Sequence, residues 1–320
     1  MKIIGTGSAL PKKVVNNDML SEFLETSDEW ITTRTGIKTR HIITDERFED
    51  LATEAAARAI ESAGLCPDDI DFIICSNVSN YFITPHLSSI IQGALGIKGP
   101  DCPTMDVNVA CVGFLYGLDL CDALLTTGRA KNILLVAAEE CTRFCDWTDR
   151  NCSVLFGDGA GAVVLTHGDG MIASKLTSTP MPNVIVYRTP MEPTPFETGE
   201  GIDTHHALEM KGREVFRMAV TSASRDIRNI VASVGMTLDN IDFFLLHQAN
   251  LRINEAIREG LQQPEEKFPT NVQRFGNTSS AAIPLLLDEA VREGRIKHGD
   301  TLLMSAFGAG FVTGTAIIKY

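Results

Sequence analysis

Around Cys111 the pattern of apolar and polar positions changes from a period of two to the period of a helix. In DVNVACVGFLYGLD, residues 106–119, Val107 and Val109 flank a polar Asn108, which is typical of a strand. After Cys111 the apolar positions recur at the spacing of a buried helix, and glycines allow close approach to neighbouring backbone. The pattern therefore predicts a thiol at the first turn of an apolar helix, directly after a strand.

A helix–strand unit occurs twice along the chain. PDDIDFIICSN resembles LDNIDFFLLHQ, so that Ile70 pairs with Ile241 at an offset of 171 residues. Gly64 and Gly235 share this offset and stand where a helix C-terminus favours glycine. The segment before each glycine has the pattern of an amphipathic helix.

A second match lies further along both copies. CVGFLYGLDLCDALLTTGRAKN resembles NTSSAAIPLLLDEAVREGRIKH, which pairs Cys111 with Asn277 at an offset of 166 residues. The repeat predicts two fused halves, residues 1–170 with the cysteine and residues 171–320 with a histidine and an asparagine. The alternation of strands and helices predicts an α/β fold with helices packed on sheets.

The duplication brings three polar residues to the ends of strands. Cys111 and Asn277 begin equivalent loops, and His247 follows the strand FFLL. Because open sheets build their sites at the carboxyl ends of strands, two halves packed as pseudo-twofold mates would bring these side chains to one pocket. A helix N-terminus carries a partial positive charge, so it favours the nucleophilic thiolate, and a neighbouring histidine would add to this activation.

The charge and composition exclude several classes of function. The chain has 28 Lys and Arg against 41 Asp and Glu, a net charge of −13, which argues against general affinity for nucleic acid or an anionic membrane. Its longest apolar runs are far shorter than the roughly 20 residues that cross a bilayer. The first residues do not have the pattern of a signal peptide, so we expect a cytoplasmic protein.

The cysteines do not form a metal-binding pattern. The chain has eight cysteines and no C-x-x-C pair, and most are expected to be reduced and buried. His205 and His206 lie in a polar segment where a solvated pair is expected. We therefore predict no metal site.

Motifs spread over the whole chain resemble those of one known family. They are TSDEWITTRTGIKTRH, DVNVACVGFLYGL, FGDGAGAVVL, EMKGREVFRMAV, HQANLRI, FGNTSSAAIP and FGAGFVTG. They resemble the motifs of β-ketoacyl-acyl-carrier-protein synthase III, in the thiolase superfamily. The resemblance implies a thiolase-like, duplicated five-layered α-β-α-β-α fold and a cytoplasmic homodimer.

The resemblance also implies a decarboxylative Claisen condensation that starts fatty-acid synthesis. Cys111 matches the nucleophile that takes an acyl group from acyl-CoA. His247 and Asn277 match the pair that binds the carbonyl of malonyl-acyl-carrier protein and stabilises the enolate. The backbone N–H groups of Cys111 and Ala309 match a second oxyanion hole. The coenzyme A thioester is a substrate, and no cofactor is implied.

Further residues match the family's binding surfaces. Trp30 and Arg150 match the pair that sandwiches the adenine of coenzyme A, and Arg34 matches a cation that contacts it. The residues that match the wall of the pantetheine tunnel are Gly212, Phe216 and Asn250. Arg217 and Arg252 match positions of the face that docks the carrier protein.

The chain departs from the family where the acyl pocket is shaped. Thr177–His206 is rich in proline and is expected to be extended and loop-like. Thr84 stands where the family often has a bulky aromatic residue contributed by the dimer partner, and Val312-Thr313 replaces the usual Thr-Trp. From these differences we predict that the enzyme accepts primers longer or more branched than acetyl.

Three other functions stay open at this point. The chain could be a synthase-III-like acyltransferase or condensing enzyme of a secondary-metabolite pathway. A Cys-His-Asn hydrolase would leave the symmetry and the carrier-docking residues unexplained. An inactive partner subunit that only binds carrier protein would be expected to lack Cys111.

Overall fold

The computed structural model describes residues 1–188 and 207–320. In these residues the strands are β1 (Lys2–Ala9), β2 (Lys13–Asn16), β3 (Thr39–Ile42), β4 (Phe72–Ser76), β5 (Thr104–Val107), β6 (Asn132–Glu140), β7 (Asp158–Thr166), β8 (Met171–Met181), β9 (Ile185–Val186), β10 (Glu209–Met210), β11 (Phe243–Leu246), β12 (Thr301–Gly308) and β13 (Gly310–Lys319).

The α-helices of the same residues lie between these strands. They are α1 (Asn17–Ser21), α2 (Asp28–Thr35), α3 (Phe48–Ser62), α4 (Leu87–Ala94), α5 (Gly113–Thr126), α6 (Arg150–Ser153), α7 (Gly212–Ser233), α8 (Leu251–Leu261), α9 (Val272–Phe275) and α10 (Ala282–Arg292). Among them, no helix is both long enough and apolar enough to cross a bilayer.

The strands form two main sheets. The first has the order β1-β7-β6-β4-β5, in which β4 runs parallel to β5 and β6. The second has the order β11-β12-β13-β8, in which β11 and β12 are parallel. Both sheets thus combine parallel strands with an antiparallel edge, and short ladders join β2 to β3 and β9 to β10.

Helices cover both faces of each sheet. The buried faces of α5 and α10 share one core with the inner faces of both sheets. The helices α3 and α4 pack on the outer face of the first sheet, and α7 and α8 pack on the outer face of the second. The predicted duplicated, five-layered α/β fold is confirmed.

The predicted helix stops lie where the sequence pattern puts them. Gly64 follows α3 with φ of 68°, and Gly235 follows α7 with φ of 70°. This left-handed conformation is strained for residues with a Cβ, which is why glycine ends both helices.

The pairing of Cys111 with Asn277 does not hold in the fold. One 3₁₀ turn precedes each of the two central helices. The turn before α5 begins at Ala110, and the turn before α10 begins at Ser279. Both residues have positive φ, of 46° and 50°. When the two turns are aligned, Cys111 is equivalent to Ser280. The sequence match had instead aligned the C-terminal ends of the helices, and these differ in length, since α5 has 14 residues and α10 has 11.

Part of the proline-rich segment is a strand. β8 extends to Met181 at the edge of the second sheet, where Pro180 is tolerated because an edge strand can leave an amide unpaired. The remaining expectation of an extended loop falls largely on residues 189–206, which include His205 and His206 and lie outside the described residues.

Candidate active site

An inner cavity of about 560 Å³ lies where the two halves meet. Its walls include the four residues predicted to be catalytic, which are Cys111, His247, Asn277 and Ala309. Ala309 links β12 to β13, and Gly308 before it packs against the backbone nitrogen of Cys111. A Cβ at position 308 would crowd that amide, so glycine allows the two loops to approach.

Cys111 lies in the 3₁₀ turn before α5 and not in the helix itself. Its side chain is half-buried, and its Sγ is 3.5 Å from the hydroxyl of Ser279. Burial raises the pKa of the thiol to about 11, the Ser279 hydrogen bond lowers it, and the charge of Glu139 raises it further. With this pKa the thiol is protonated at neutral pH, in contrast to the expected thiolate, because desolvation outweighs the effect of the helix end.

His247 follows β11 and is buried. Its backbone N–H donates to the carbonyl of Ser305 at 2.8 Å. Its ring forms an edge-to-face pair with the ring of Phe307, and the two ring centroids are 5.3 Å apart. Among the described residues, Nδ1 has no hydrogen-bond partner. Burial lowers the pKa of the imidazole to about 4, so the ring is neutral at pH 7 and is a weak base.

Asn277 is held in place by hydrogen bonds of its backbone N–H and of its side-chain Oδ1. The backbone N–H donates to Leu155 at 2.8 Å, and Oδ1 accepts the backbone N–H of Ser279 at 2.9 Å. Because Oδ1 is engaged, the NH₂ end is the part of the amide left for a ligand. Asn277 offers a donor to the cavity beside the neutral ring of His247.

Glu139 is a buried acid beside the nucleophile. It is the penultimate residue of β6, before Glu140. Its Oε2 accepts from the amide of Val78 at 3.1 Å and the hydroxyl of Ser79 at 2.8 Å. Its Oε1 accepts from the hydroxyls of Ser280 at 2.7 Å and Ser279 at 3.2 Å. Burial raises the pKa of this carboxyl to about 7, against the lowering effect of the four donors.

An outer cavity of about 780 Å³ adjoins the inner one. The two share the lining residues Met210, Val215, Ala249 and Asn277. The outer walls hold most residues predicted to bind coenzyme A, which are Trp30, Arg34, Gly212, Phe216 and Asn250, together with the cations Arg213 and Arg252. A ligand in the outer cavity can therefore reach toward Cys111.

Two guanidinium groups lie over the ring of Trp30. The Arg34 guanidinium carbon is 4.4 Å from the ring centroid and that of Arg150 is 4.9 Å away. Arg150 also donates to the carbonyl of Glu25. Arg150, which is predicted to sandwich adenine together with Trp30, thus lies directly against the indole.

Asn250 has a structural role as well as a place in the wall. It is the N-cap of α8, because its Oδ1 accepts the backbone N–H of Arg252 at 2.9 Å. Its Nδ2 donates to the carbonyl of Arg34 at 3.1 Å, which ties α8 to α2. Arg252 lies over the ring of Phe216 at 5.9 Å.

Three predicted residues line neither cavity, and one of them, Arg150, reaches the outer cavity only through its contact with Trp30. Thr84 is exposed on the loop that leads to α4, and it lines neither cavity of its own chain. Arg217 is exposed on α7. Within residues 1–188 and 207–320, no three His, Cys, Asp or Glu side chains form a group that could hold a metal ion.

Comparison with known proteins identifies the family. The model of 3-oxoacyl-[acyl-carrier-protein] synthase III matches residues 105–180, and the model of its C-terminal domain matches residues 231–320. A β-ketoacyl-[acyl-carrier-protein] synthase III of Xanthomonas axonopodis pv. citri is 44% identical over 322 residues, covering 100% of this chain and 98% of the relative. The chain belongs to the β-ketoacyl-acyl-carrier-protein synthase III family.

Solved structures agree with membership of the synthase III family. A 3-oxoacyl-[acyl-carrier-protein] synthase III from Aquifex aeolicus superposes with a TM-score of 0.92 at 39% identity, covering 100% of this chain and 99% of that one. A priming β-ketosynthase from a polyketide biosynthetic pathway superposes with a TM-score of 0.91 at 32% identity, covering 99% and 95%. The predicted family and its class of enzyme, a condensing acyltransferase, are confirmed.

The motifs of the synthase III family did not lead to Glu139 or Ser279. Ser279 stands in FGNTSSAAIP, where its neighbour Asn277 took the functional interpretation. Glu139 directly follows the apolar run ILLVAA, and a carboxylate at the end of a buried strand is a signal that could have found it.

Proposed function

We propose that this chain transfers an acyl primer from acyl-CoA to Cys111 and condenses it with malonyl-acyl-carrier protein, starting fatty-acid synthesis. The observation that carries the proposal is one cavity lined by Cys111, His247 and Asn277, which adjoins a second cavity lined by cations. The first cavity suits thioester chemistry, and the second suits the phosphates of the acyl donor.

The first half-reaction is acyl transfer to the thiol. The Sγ of Cys111 attacks the acyl carbon, and the oxygen of the tetrahedral intermediate needs donors close to the sulfur. The backbone N–H groups of Cys111 and Ala309 are the proposed donors, which is supported by the close packing of Gly308 against the first of them. Loss of the coenzyme A thiolate leaves the primer on Cys111 as a thioester.

The second half-reaction is decarboxylation and condensation. Loss of CO₂ from the malonyl thioester leaves an enolate, whose oxygen needs hydrogen-bond donors and no proton. The neutral ring of His247 and the amide of Asn277 provide such donors without protonating the enolate carbon. That carbon then attacks the thioester on Cys111, and the product is a β-ketoacyl-carrier protein.

The proposed binding of coenzyme A rests on the outer cavity. Arg34, Arg213 and Arg252 line it and can pair with phosphates. Trp30 and Arg150 provide an aromatic face and a planar cation for the adenine ring.

The carrier protein is acidic in this proposal and docks beside the mouth of the outer cavity. Arg217 on α7 and Arg252 on α8 are exposed, and these two helices pack on each other. A local basic surface of this kind can attract an acidic partner although the whole chain has a net charge of −13.

We propose that the enzyme is a cytoplasmic homodimer. The edge of the first sheet is β5, whose backbone can pair with another strand, and the nearby loop before α4 exposes Ile83 by 90%. All eight cysteines are free thiols, as expected in a reducing compartment. The halves 1–170 and 171–320 are the proposed domains.

A condensing enzyme of a secondary-metabolite pathway is the second candidate. It is supported by the likeness to a polyketide priming ketosynthase, at 32% identity. The identity to the Xanthomonas synthase III is higher, at 44%, and this favours the role in fatty-acid synthesis.

The experiment that tests the proposal follows the primer and the released CO₂. Incubation with radiolabelled acetyl-CoA should label one peptide, which contains Cys111, and malonyl-acyl-carrier protein should then release CO₂ and take up the label. Cys111→Ser should abolish both, and Cys145→Ser, which changes a half-buried thiol outside the cavity wall, is the control. Label that survives in Cys111→Ser, or native label that carrier protein cannot remove, would reject the proposal.

A further inference from the structure

Glu139 has no part in the two half-reactions described above, yet it is linked to the nucleophile. The Ser279 hydroxyl lies 3.2 Å from its Oε1 and 3.5 Å from the Sγ of Cys111. A single hydroxyl thus contacts both the buried acid and the reacting thiol. Glu139 itself is fully buried.

The chemistry of the three groups gives the link a direction. An ionised carboxylate only accepts hydrogen bonds, so the Ser279 hydroxyl then donates to Glu139 and leaves its oxygen lone pair to the S–H of Cys111. When Glu139 is protonated, the same hydroxyl can turn and donate to the sulfur. Shifting a proton from Sγ to Oε1 through Ser279 therefore produces a thiolate without changing the net charge of the buried site.

We infer that Glu139 accepts the Cys111 proton through Ser279 while the thiol attacks the acyl carbon. The S–H bond breaks and the bond from Sγ to the acyl carbon forms. The bond from that carbon to the leaving group then breaks, and the proton held on Glu139 passes to the departing thiolate. The inference rests on the proposed function only for the identity of the acyl donor.

The alternative base in the cavity is poorly suited to this step. A general base works best when its pKa lies near the working pH. Burial lowers the pKa of His247 to about 4, whereas burial raises the pKa of Glu139 to about 7. Glu139 can therefore both hold and return a proton at neutral pH, and His247 is left as a donor to the substrate carbonyl.

The surroundings of Glu139 are acids and thiols. The charge of Glu139 acts on three thiols, which are Cys75 on β4, Cys111 and Cys141 after β6. Asp158 on β7 also acts on Cys141, and Glu140 acts on Asp158. Burial raises the pKa of Cys75 and of Cys141 well above the usual range, so these thiols stay neutral. Hydrogen-bond donors thus stabilise the negative charge of Glu139, and the carboxyl group becomes neutral when it takes up the thiol proton.

The test compares acylation of Cys111 with its alkylation. Single-turnover acylation is measured with acetyl-CoA and with p-nitrophenyl acetate between pH 5 and 9, and alkylation is measured with iodoacetamide. In the native chain the acylation rate should rise through an inflection near pH 7, where Glu139 ionises.

Glu139→Gln should separate the two reactions. Acylation at pH 7 should fall roughly 10²-fold and lose the inflection, because general-base catalysis typically contributes 10²–10⁴. Alkylation at pH 7 should fall much less than acylation, because the leaving iodide needs no proton from Glu139 and the negative charge that raises the pKa of the Cys111 thiol is gone. A purely structural role would slow both reactions together, and that result, or unchanged acylation, would overturn the inference.

Two serine variants test the path of the proton. Ser279→Ala removes the bridging hydroxyl but keeps the backbone N–H that holds Asn277, and it should slow acylation as much as Glu139→Gln does. Ser280→Ala is the matched control, because Ser280 donates to the same oxygen of Glu139 and makes no hydrogen bond to Cys111. Equal effects of the two serine variants would contradict the relay.

The two acyl donors separate this inference from the proposed function. If the native chain is acylated by p-nitrophenyl acetate and by no acyl-CoA, the proposed function fails while the ester still tests Glu139. If acetyl-CoA acylates the native chain and Glu139→Gln equally fast, the relay fails and the proposed function stands.

Discussion

The side chains of Asn277 and His247 both line the cavity, but they differ in how they are held by hydrogen bonds. The Asn277 amide is oriented by the backbone N–H of Ser279, whereas the Nδ1 of His247 has no partner among the described residues. A fixed donor can stabilise an oxyanion without reorganising when charge develops. The asparagine is therefore the better place to separate decarboxylation from acylation.

Asn277→Ala should reduce condensation far more than thioester formation. Condensation should fall roughly 10²–10³-fold, the cost of losing one oxyanion donor. Acylation of Cys111 should fall less than about tenfold, because the proposed donors to its oxyanion are backbone N–H groups and not Asn277. The measurement is CO₂ release from malonyl-acyl-carrier protein beside single-turnover acylation.

The matched control for this change is Asn108→Ala, which removes another amide from the wall of the same cavity. It should leave condensation within a few-fold of the native rate. Equal losses in both half-reactions of Asn277→Ala would contradict the division of roles.

The sequence predicted the residues that stand at strand ends inside recognisable motifs. Cys111, His247 and Asn277 do line one cavity in the structure. The protonation of the thiol could not be predicted, because desolvation depends on neighbours that are distant in the sequence. Glu139 was missed for the same reason, since its partner Ser279 is 140 residues away.

At the scale of elements, close packing of β1 on α3 requires residues without a Cβ. A Cβ at Gly7 would overlap the backbone of α3 at Ala55 and Ala59. Gly93 is also in a regular element, the exposed face of α4, but a Cβ there would meet nothing within 4 Å. Packing therefore requires glycine at position 7, whereas no neighbouring atom requires it at position 93.

Gly7→Ala should lower the free energy of unfolding by about 1–3 kcal/mol, because overpacking forces the strand and the helix apart. Gly93→Ala should raise it by about 0.5–1 kcal/mol, because alanine loses less backbone entropy in a helix. Urea unfolding followed by circular dichroism measures both. A stabilised Gly7→Ala would mean that β1 and α3 can separate without cost.

Periodicity and glycine stops predicted most of these elements, because both are local signals. The 3₁₀ turns that begin at Ala110 and Ser279 were not predicted. Alanine and serine rarely adopt positive φ, so the sequence gives no sign of such a turn. The true equivalence of Cys111 with Ser280 depends on these turns and on helix length.

At the scale of the whole molecule, the proposed dimer would complete the acyl pocket. Thr84 is exposed and lies outside the cavities of its own chain, so it can shape a pocket only in a second copy. The neighbouring Ile83 and the edge strand β5 provide the surface for that contact. Primer choice then depends on assembly.

Thr84→Phe should shift primer preference toward acetyl. Each buried CH₂ contributes about 0.8 kcal/mol, nearly fourfold in preference, and the phenyl ring would fill the space of several carbons. The measurement is kcat/KM for acetyl-, butyryl-, isobutyryl- and hexanoyl-CoA. The native chain should favour the longer or branched primers over acetyl.

Ile83→Asp is the control for assembly, because a charge in the contact should convert a dimer into monomers, as measured by light scattering. In such monomers the Thr84→Phe change should lose its effect on primer preference. A native enzyme that strongly prefers acetyl, with no response to Thr84→Phe, would show that other residues close the pocket.

The stack of cations on Trp30 has an optical consequence. The chain has two tryptophans, and both Trp30 and Trp147 pack against one hydrophobic cluster beside the outer cavity. A ring that stacks on Trp30 must displace Arg34 or Arg150 from the indole. The tryptophan fluorescence of the protein therefore originates beside the proposed entrance for the acyl donor, and it can report the binding of a ligand without an attached label.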